Sequence, residues 1–394
     1  MAGEALPTAL RVALITLGDP ARLTGGYLYH RRMAALAPEL GAEVEFVSFP
    51  QQAFPLPALA GGGVLAAAAK VRPDVLLLDS IAACYLAPWL GRVRLPAPLA
   101  AILHQPPGGI DGRWLPRQLH SRLDLRAYRH ARLIVAASQD LADRVRAQVR
   151  PGQRLVVVAP GRDADAGTEC GNEADSRTGC GDHAGSGTAS SDQAGARPAE
   201  PPHQLDLRRG RRAALLCVGN WVARKGVLDL IEAVARLPDE MATLHLVGDQ
   251  DADPRYARRV RARLRRPDVT DRVILHGAVP ATAVLGFYRA ADVFVLASRC
   301  EPYGTVYGEA MAAGLPVVGW AAGNLPHLAR DGEEGVVVPP GDLHALSAAL
   351  RRLSLDEPFR HRLGTAARRR AEAFPTWRES AGQLVAKLRA VADA

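Results

Sequence analysis

An α/β fold of two Rossmann-like, doubly wound domains facing one another across a cleft is predicted by three features of this sequence. Short apolar runs with strand character alternate with helix-period segments, this alternation occurs in two separate blocks, and a stretch of quite different composition divides them. Strands of four to eight apolar residues between amphipathic helices belong in a parallel sheet covered on both faces. A length of 394 residues suits two such domains better than one core.

In the first block the predicted strands are 10–17, 43–48, 74–78, 98–103, 133–137 and 154–158, with helices at 27–40 and 139–149 among the intervening segments. In the second block they are 214–218, 243–247, 272–276, 293–297, 316–319 and 335–338. Between the first two of these, Val227, Leu230, Ile231, Val234 and Leu237 recur at helical spacing and mark one apolar face. The chain divides into a first domain over 1–160, a linker over 161–212 and a second domain over 213–374. A last helix, 375–394, follows Phe374-Pro-Thr-Trp377 and is expected to cross back to the first domain. From about 163 to 209 large apolar residues are almost absent, so this stretch cannot bury enough surface to offset its ordering entropy, and disorder is expected. Cys170, Cys180, His183 and His203 within it follow no metal-site spacing.

Hydrophobic residues at 48% and charged residues at 23% describe an ordinary soluble enzyme. The net charge of +8 comes almost wholly from arginine; lysine occurs only at Lys70, Lys225 and Lys387, so a lysine inside a motif stands out. Five cysteines at irregular spacing, with no C-x-x-C, suggest a reduced, cytoplasmic protein. No signal-peptide pattern is present, and no apolar run approaches the ~20 residues that span a bilayer. Arginine-rich stretches at 113–132 and 255–266 read as helices. The first offers a basic face for peripheral contact with anionic lipid at the inner membrane face, set against the plainer reading of a solvated arginine face. Neither has the interleaved aromatics of a base-stacking surface, which argues against nucleic acid.

Two strand–loop–helix segments carry chemistry. In Arg299-Cys-Glu-Pro-Tyr-Gly-Thr-Val-Tyr-Gly-Glu-Ala-Met-Ala-Ala-Gly314 the chain leaves a strand, turns through Glu301–Gly304 and enters a helix. The N–H groups of Gly304, Thr305 and Val306 then point into the crevice beyond the strand's carboxyl end, where an anion such as a diphosphate is favoured. Glu301 in the loop and Glu309 in the helix can accept hydrogen bonds from sugar hydroxyls. In Val218-Gly-Asn-Trp-Val-Ala-Arg-Lys-Gly226, Arg224 and Lys225 bring two cations to the same kind of crevice, where they would neutralise a leaving diphosphate. Alone, the first segment is equally compatible with two surface glutamates on an ordinary strand–turn–helix, and for the second a solvated basic pair is the better reading.

Together, in this order and roughly eighty residues apart, they resemble the retaining glycosyltransferase family 4, a group 1 family of the GT-B fold. The resemblance extends to the loop ending Thr24-Gly25-Gly26 and to Ile134-Val-Ala-Ala-Ser-Gln-Asp140, Val158-Ala-Pro-Gly-Arg-Asp163 and Leu246-Val-Gly-Asp249. It continues through Val273-Ile-Leu-His-Gly277, Ala291-Asp-Val-Phe-Val295 and Gly335-Val-Val-Val-Pro-Pro-Gly-Asp342. It implies that Arg224 and Lys225 grip the donor diphosphate, that Glu301 meets the transferred sugar and Glu309 the ribose, and that Gly304 and Thr305 donate backbone N–H groups. It further implies that Gly25 and Gly26 approach the donor phosphate from the first domain. His104, in Leu-His-Gln-Pro, falls near a histidine the family often places by the sugar, although a histidine after a buried strand is about as often structural.

The resemblance implies a hexosyl transfer that retains anomeric configuration, a nucleotide-diphosphate sugar as substrate (a UDP-sugar by default), a small-molecule, glycan or lipid-linked acceptor, and no metal or other cofactor. Asp251-Ala-Asp253 and Asp163-Ala-Asp165 spell an Asp-x-Asp pattern that holds a divalent cation in other glycosyltransferases. Both read here as chance acidic loops, because Arg224 and Lys225 already supply positive charge. Where the family commonly has Gly-Leu-Pro-Glu this chain has Gly323-Asn-Leu-Pro-His327, and Tyr303 replaces a more usual phenylalanine. A nucleotide-sugar epimerase or a phosphorylase on the same two-domain architecture is the nearest alternative. A dinucleotide-dependent oxidoreductase would need Gly-x-Gly-x-x-Gly after the first strand, where the chain reads Gly18-Asp-Pro-Ala-Arg. A catalytically inactive binding module is set aside because both charged segments are intact.

Overall fold

The computed structural model describes residues 9–20, 25–51, 56–110, 116–162 and 206–394. Most of the expected linker, with Asp163-Ala-Asp165, falls outside them, as does Thr24.

The first sheet contains β1 (Leu10–Leu17), β2 (Ala42–Phe49), β3 (Val75–Asp79), β4 (Leu99–Leu103), β5 (Leu133–Ala136) and β6 (Arg154–Val157). The second contains β7 (Ala213–Val218), β8 (Ala242–Val247), β9 (Val273–Gly277), β10 (Val293–Leu296), β11 (Val317–Trp320) and β12 (Gly335–Val338). Every named pairing is parallel, in the orders β2-β1-β3-β4-β5-β6 and β12-β11-β10-β7-β8-β9. All twelve predicted strands are present, each within one residue at either end. The fold is an α/β architecture of two doubly wound domains.

Burial on both faces explains the unbroken apolar runs. Along β1, Leu10, Val12 and Leu14 face one core while Ala13 and Ile15 face another, and all five are buried. In the second sheet the strand order reverses between β7 and β10, which opens a crevice beyond their carboxyl ends. The predicted helix at 27–40 is instead a helix over Gly25–Leu36 followed by a 3-10 turn over Pro38–Leu40. Pro38 cannot continue a helix but suits the first position of a new turn, and Gly41, at φ +69°, closes it.

The helix Trp377–Ala392 starts from Thr376, whose side chain and Glu379 form a reciprocal capping box. It lies on the first sheet, where Ala381, Leu384, Val385, Leu388 and Val391 share a core with Leu10, Val12, Leu14 and Tyr29. The outgoing and returning chains touch where they pass between the domains. Arg162 N donates to Pro375 O at 2.8 Å, Trp377 N donates to Arg162 O at 3.2 Å, and the Arg162 guanidinium donates to the carbonyls of Phe374 and Glu372. A side chain on Gly161 would fall 2.2 Å from Trp377 N, so glycine permits this approach.

The arginine-rich stretches are helices at Arg117–Tyr128 and Pro254–Leu264. In the second, Arg263 is buried and bonded to Glu232 and Asp268, and Arg261 pairs with Asp251 at 2.7 Å, so part of its charge is neutralised internally. Among the described residues no helix is long and apolar enough to cross a membrane.

Candidate functional site

The two charged segments leave adjacent strands. After β7 the chain passes Gly219 and the buried Trp221, makes a 3-10 turn over Ala223–Lys225, and enters the helix Val227–Ala235 through Gly226. Gly226 has φ +69°, and a Cβ there would lie 2.0 Å from Ala297 O, so only glycine lets this loop press against the end of β10. Two bonds fix the contact: Arg299 N donates to Arg224 O at 2.8 Å, and the Ser298 hydroxyl donates to the same carbonyl at 3.2 Å. Opposite, Gly304 at φ +88° turns the chain into the helix Thr305–Ala312.

These constraints bring the charges together. The Lys225 ammonium forms an ion pair with Glu301 Oε2, and Arg224 Nη1 lies 4.0 Å from the same oxygen and 3.4 Å from Cys300 O. Lys225 and Glu301 are largely but not fully enclosed, with side-chain exposures of 11% and 14%. Gly219 lies against the methylene stem of Lys225, 3.6 Å from where a Cβ would sit. Two cations, a carboxylate and the first turn of a helix thus share one crevice, an arrangement suited to a phosphorylated anion that also carries hydroxyls. Thr305 is exposed in that first turn. Glu309, one turn further, is exposed as well, and the buried Tyr288 hydroxyl donates to its Oε2 at 2.9 Å.

Gly25, Gly26 and His104 belong to the first domain. Gly25 opens the helix Gly25–Leu36, and the Cβ position of Gly26 lies 3.5 Å from His104 Cβ, so the first turn of this helix rests on the histidine. His104 follows β4, its N–H donating to the Ser80 hydroxyl at 3.1 Å, and its ring meets Tyr29 and His30 edge-on at 4.7 and 4.6 Å. His30 Nε2 in turn lies 3.0 Å from the buried Asp79 Oδ2, which also accepts from the Thr16 hydroxyl at 2.8 Å. Burial alone would raise the Asp79 carboxyl, but His30, His104 and Thr16 outweigh it and hold it at about 2. Burial, then the neighbouring His30, push the His104 imidazole down to about 3, so the ring is neutral at pH 7. Its Nε2 is buried without a hydrogen-bond partner among the described residues.

The loop that carries Glu301 reaches this group. The Tyr303 hydroxyl donates to Pro160 O at 3.2 Å and lies close enough to Tyr29 to help burial raise that phenol's pKa. Asn324 joins the domains from the loop after β11. It donates to Tyr303 O at 2.9 Å, accepts from Asp140 N at 3.5 Å, and its own N–H donates to Glu301 O at 2.9 Å. Gly323 has no room for a side chain against Glu301, and His327 Nε2 lies 3.9 Å from Asp143 Oδ2 across the seam. The segment Gly323–His327 therefore braces Glu301 and links the two domains. Tyr288, Asn324, His30 and Asp79 have no sequence signal of their own; each is recognised only through its partner.

Asp251-Ala-Asp253 has other work. Asp251 pairs with Arg261, and Asp253 caps the helix Pro254–Leu264 by accepting from Arg255 N and Tyr256 N at 3.1 and 3.2 Å.

Comparison with known proteins places the chain beside glycosyltransferases. Residues 3–166 match the model of Glycosyltransferase Family 4, and residues 204–370 match that of Glycosyl transferases group 1. A D-inositol 3-phosphate glycosyltransferase from Xylanimonas cellulosilytica is 34% identical over 171 residues, 43% of this chain and 40% of that protein. The match thus spans about two fifths of the length of that relative. Among solved structures, sucrose-phosphate synthase from Thermosynechococcus elongatus superposes with a TM-score of 0.72 at 22% identity, covering 97% of this chain and 99% of that one. Anabaena HepE in complex with UDP-glucose gives a TM-score of 0.72 at 19% identity, covering 97% and 99%. At these identities the superpositions speak for the fold.

Proposed function

The chain belongs to the group 1 glycosyltransferases of the family 4 type, with the GT-B fold, and from that premise we propose that it transfers a hexosyl group from a nucleotide-diphosphate sugar to an acceptor held by the first domain. The observation that carries this reading is the convergence of Arg224, Lys225, Glu301 and the first turn of the helix Thr305–Ala312 in one crevice. A UDP-sugar is the default donor, a choice supported by the UDP-glucose bound to the HepE protein of similar fold.

As the donor binds, its diphosphate takes Lys225 and Arg224, and Glu301 turns from the ammonium to the hydroxyls of the transferred sugar. Glu309, steadied by Tyr288, accepts from the ribose. The anomeric centre becomes oxocarbenium-like as its bond to phosphate breaks. The leaving phosphate, stabilised by the two cations and the helix N–H groups, takes the acceptor's proton, and the new bond forms with retention. Electrostatic stabilisation of the leaving group and orientation by domain closure are the main contributions. The neutral His104 offers an unpartnered nitrogen to a sugar hydroxyl. No divalent cation is required, since Arg224, Lys225 and the helix terminus carry the positive charge. Exposed Arg117, Arg122, Arg126 and Arg129 on and just after the helix Arg117–Tyr128 support contact with an anionic or lipid-linked acceptor surface.

A thermal-shift panel of UDP-, GDP-, ADP- and TDP-sugars tests the reading, because a ligand at 100 times its dissociation constant adds about 2.7 kcal/mol. The stabilising donor should release its nucleoside diphosphate on turnover. Conversion of the donor to its epimer, or formation of free sugar phosphate from inorganic phosphate, would point instead to an epimerase or a phosphorylase.

A further inference from the structure

Away from the donor crevice, the first domain contains a second cluster of ligating groups. Cys84 lies in the short helix Ala83–Leu86, and His120 and Asp124 are one turn apart on the facing helix Arg117–Tyr128. A sulfur, an imidazole nitrogen and a carboxylate oxygen from these three residues all lie within 4.8 Å of one another. Cys84 and Asp124 are buried, at 2% and 1% exposure, while the His120 side chain keeps 15% and so leaves one edge open to solvent.

The cluster is not satisfied by the protein around it. Asp124 Oδ2 accepts from Gly108 N at 2.8 Å, but Oδ1 is buried with no hydrogen-bond partner among the described residues. His120 Nε2 is in the same condition, 3.6 Å from Oδ2, and so is the Tyr128 hydroxyl one turn beyond Asp124. Three buried polar atoms without a partner among the described residues are unusual in one place, and a bound cation is one way in which the carboxylate and imidazole atoms are satisfied. A dication favours the carboxylate and thiolate forms that ligate it.

We propose that Cys84, His120 and Asp124 form a zinc site with its fourth position open to water. The donor set selects the metal: thiolate and imidazole are ligands for zinc, whereas magnesium and calcium take oxygen. Tetrahedral zinc places its ligand atoms roughly 3.3–3.8 Å apart, within reach of small side-chain rotations from the present spacing. Binding releases the Cys84 proton, and any proton on Asp124, to solvent. The ion ties the two helices together, and through Asp124 Oδ2 and Gly108 N it secures the loop that begins at His104. It is separate from the diphosphate, where no metal is invoked.

The test is metal titration of the full chain stripped of metal. Wild type should bind one equivalent of Zn²⁺, and Co²⁺ in its place should give a thiolate-to-cobalt charge-transfer band. Cys84→Ala should lose the band, and His120→Ala, at a partly exposed position, should weaken zinc binding more than about a hundredfold. Absence of saturable zinc binding by wild type would overturn the proposal. So would a band that persists in Cys84→Ala, which would assign the thiolate to another cysteine. If Cys84→Ala does not fold, His120→Ala decides: unchanged affinity overturns the site, even if the thiol-free group of His30, Asp79 and His104 binds zinc.

Discussion

Lys225 and Glu301, far apart in sequence, form an ion pair where β7 and β10 end side by side. Each is thus occupied by the other, and in the proposed reading donor binding exchanges that pair for two new ones.

Changing either partner should therefore have a different result. Lys225→Ala removes a charge-assisted bond of about 1.5–3 kcal/mol, so kcat and kcat/KM should fall together by roughly one to two orders of magnitude. Glu301→Gln leaves Lys225 unopposed, so nucleotide affinity by calorimetry should hold or tighten while kcat falls. Normal turnover by Glu301→Gln would remove it from the reacting sugar.

The proposed role of Glu309, at the ribose, keeps it away from the reacting centre. Glu309→Gln should raise donor KM with little change in kcat, a loss of uniform binding. Tyr288→Phe should reproduce the effect more weakly, about two- to fivefold, because it removes only the bond that steadies the carboxylate. Loss of kcat in Glu309→Gln would reassign its role.

Added Mg²⁺ or Mn²⁺ should not stimulate turnover, and Asp251→Asn should leave activity within about twofold, since Asp251 only pairs with Arg261 on the surface. Manganese-dependent rescue of chelator-treated enzyme, abolished by Asp251→Asn, would make that loop a metal site after all.

The buried His104 predicts a pH dependence of stability. Its imidazole titrates near 6.5 when unfolded and at about 3 in the fold, so between these values the unfolded chain binds more protons. Stability should fall as pH drops from 6.5. His104→Asn should flatten the profile between pH 6.5 and 4.5 by on the order of 2 kcal/mol, measured by denaturant titration. Parallel profiles for the two proteins would mean that His104 protonates freely in the fold.

Replacing residues 166–201 by a short Gly/Ser segment should leave Tm within a few degrees, because the tie at Arg162 already holds the chain where it leaves the first domain. A collapse in stability would show that the segment packs on a domain.

The strands were legible because a buried parallel sheet writes itself as apolar runs, and Arg224, Lys225 and Glu301 were legible because each follows such a run. What supports them was not. Thr16 and Asp79 are bonded across 63 positions, and Tyr288 meets Glu309 across 21. Pairings of that kind follow from strand order and helix rotation, which local pattern does not encode. Asn324 is similar: its three bonds into the seam depend on Gly323 lying against Glu301, a matter of backbone approach. Cys84 carries no motif at all, and only the facing of two helices brings it to His120 and Asp124.

The helix Trp377–Ala392 gives the first domain an unusual birth order. Residues 9–157 supply its whole sheet and leave the ribosome before the second domain, yet part of the core against β1 comes from Leu384, Val385, Leu388 and Val391. At about 5–20 residues per second, synthesis of the second domain and its return helix takes on the order of ten seconds or more beyond β6. Throughout that interval the nascent first sheet exposes an apolar strip to its surroundings. The second domain, whose core lies within residues 207–371, can close as soon as it emerges. The earlier half is thus the half finished last, and its core stays incomplete until the final turn of that helix docks.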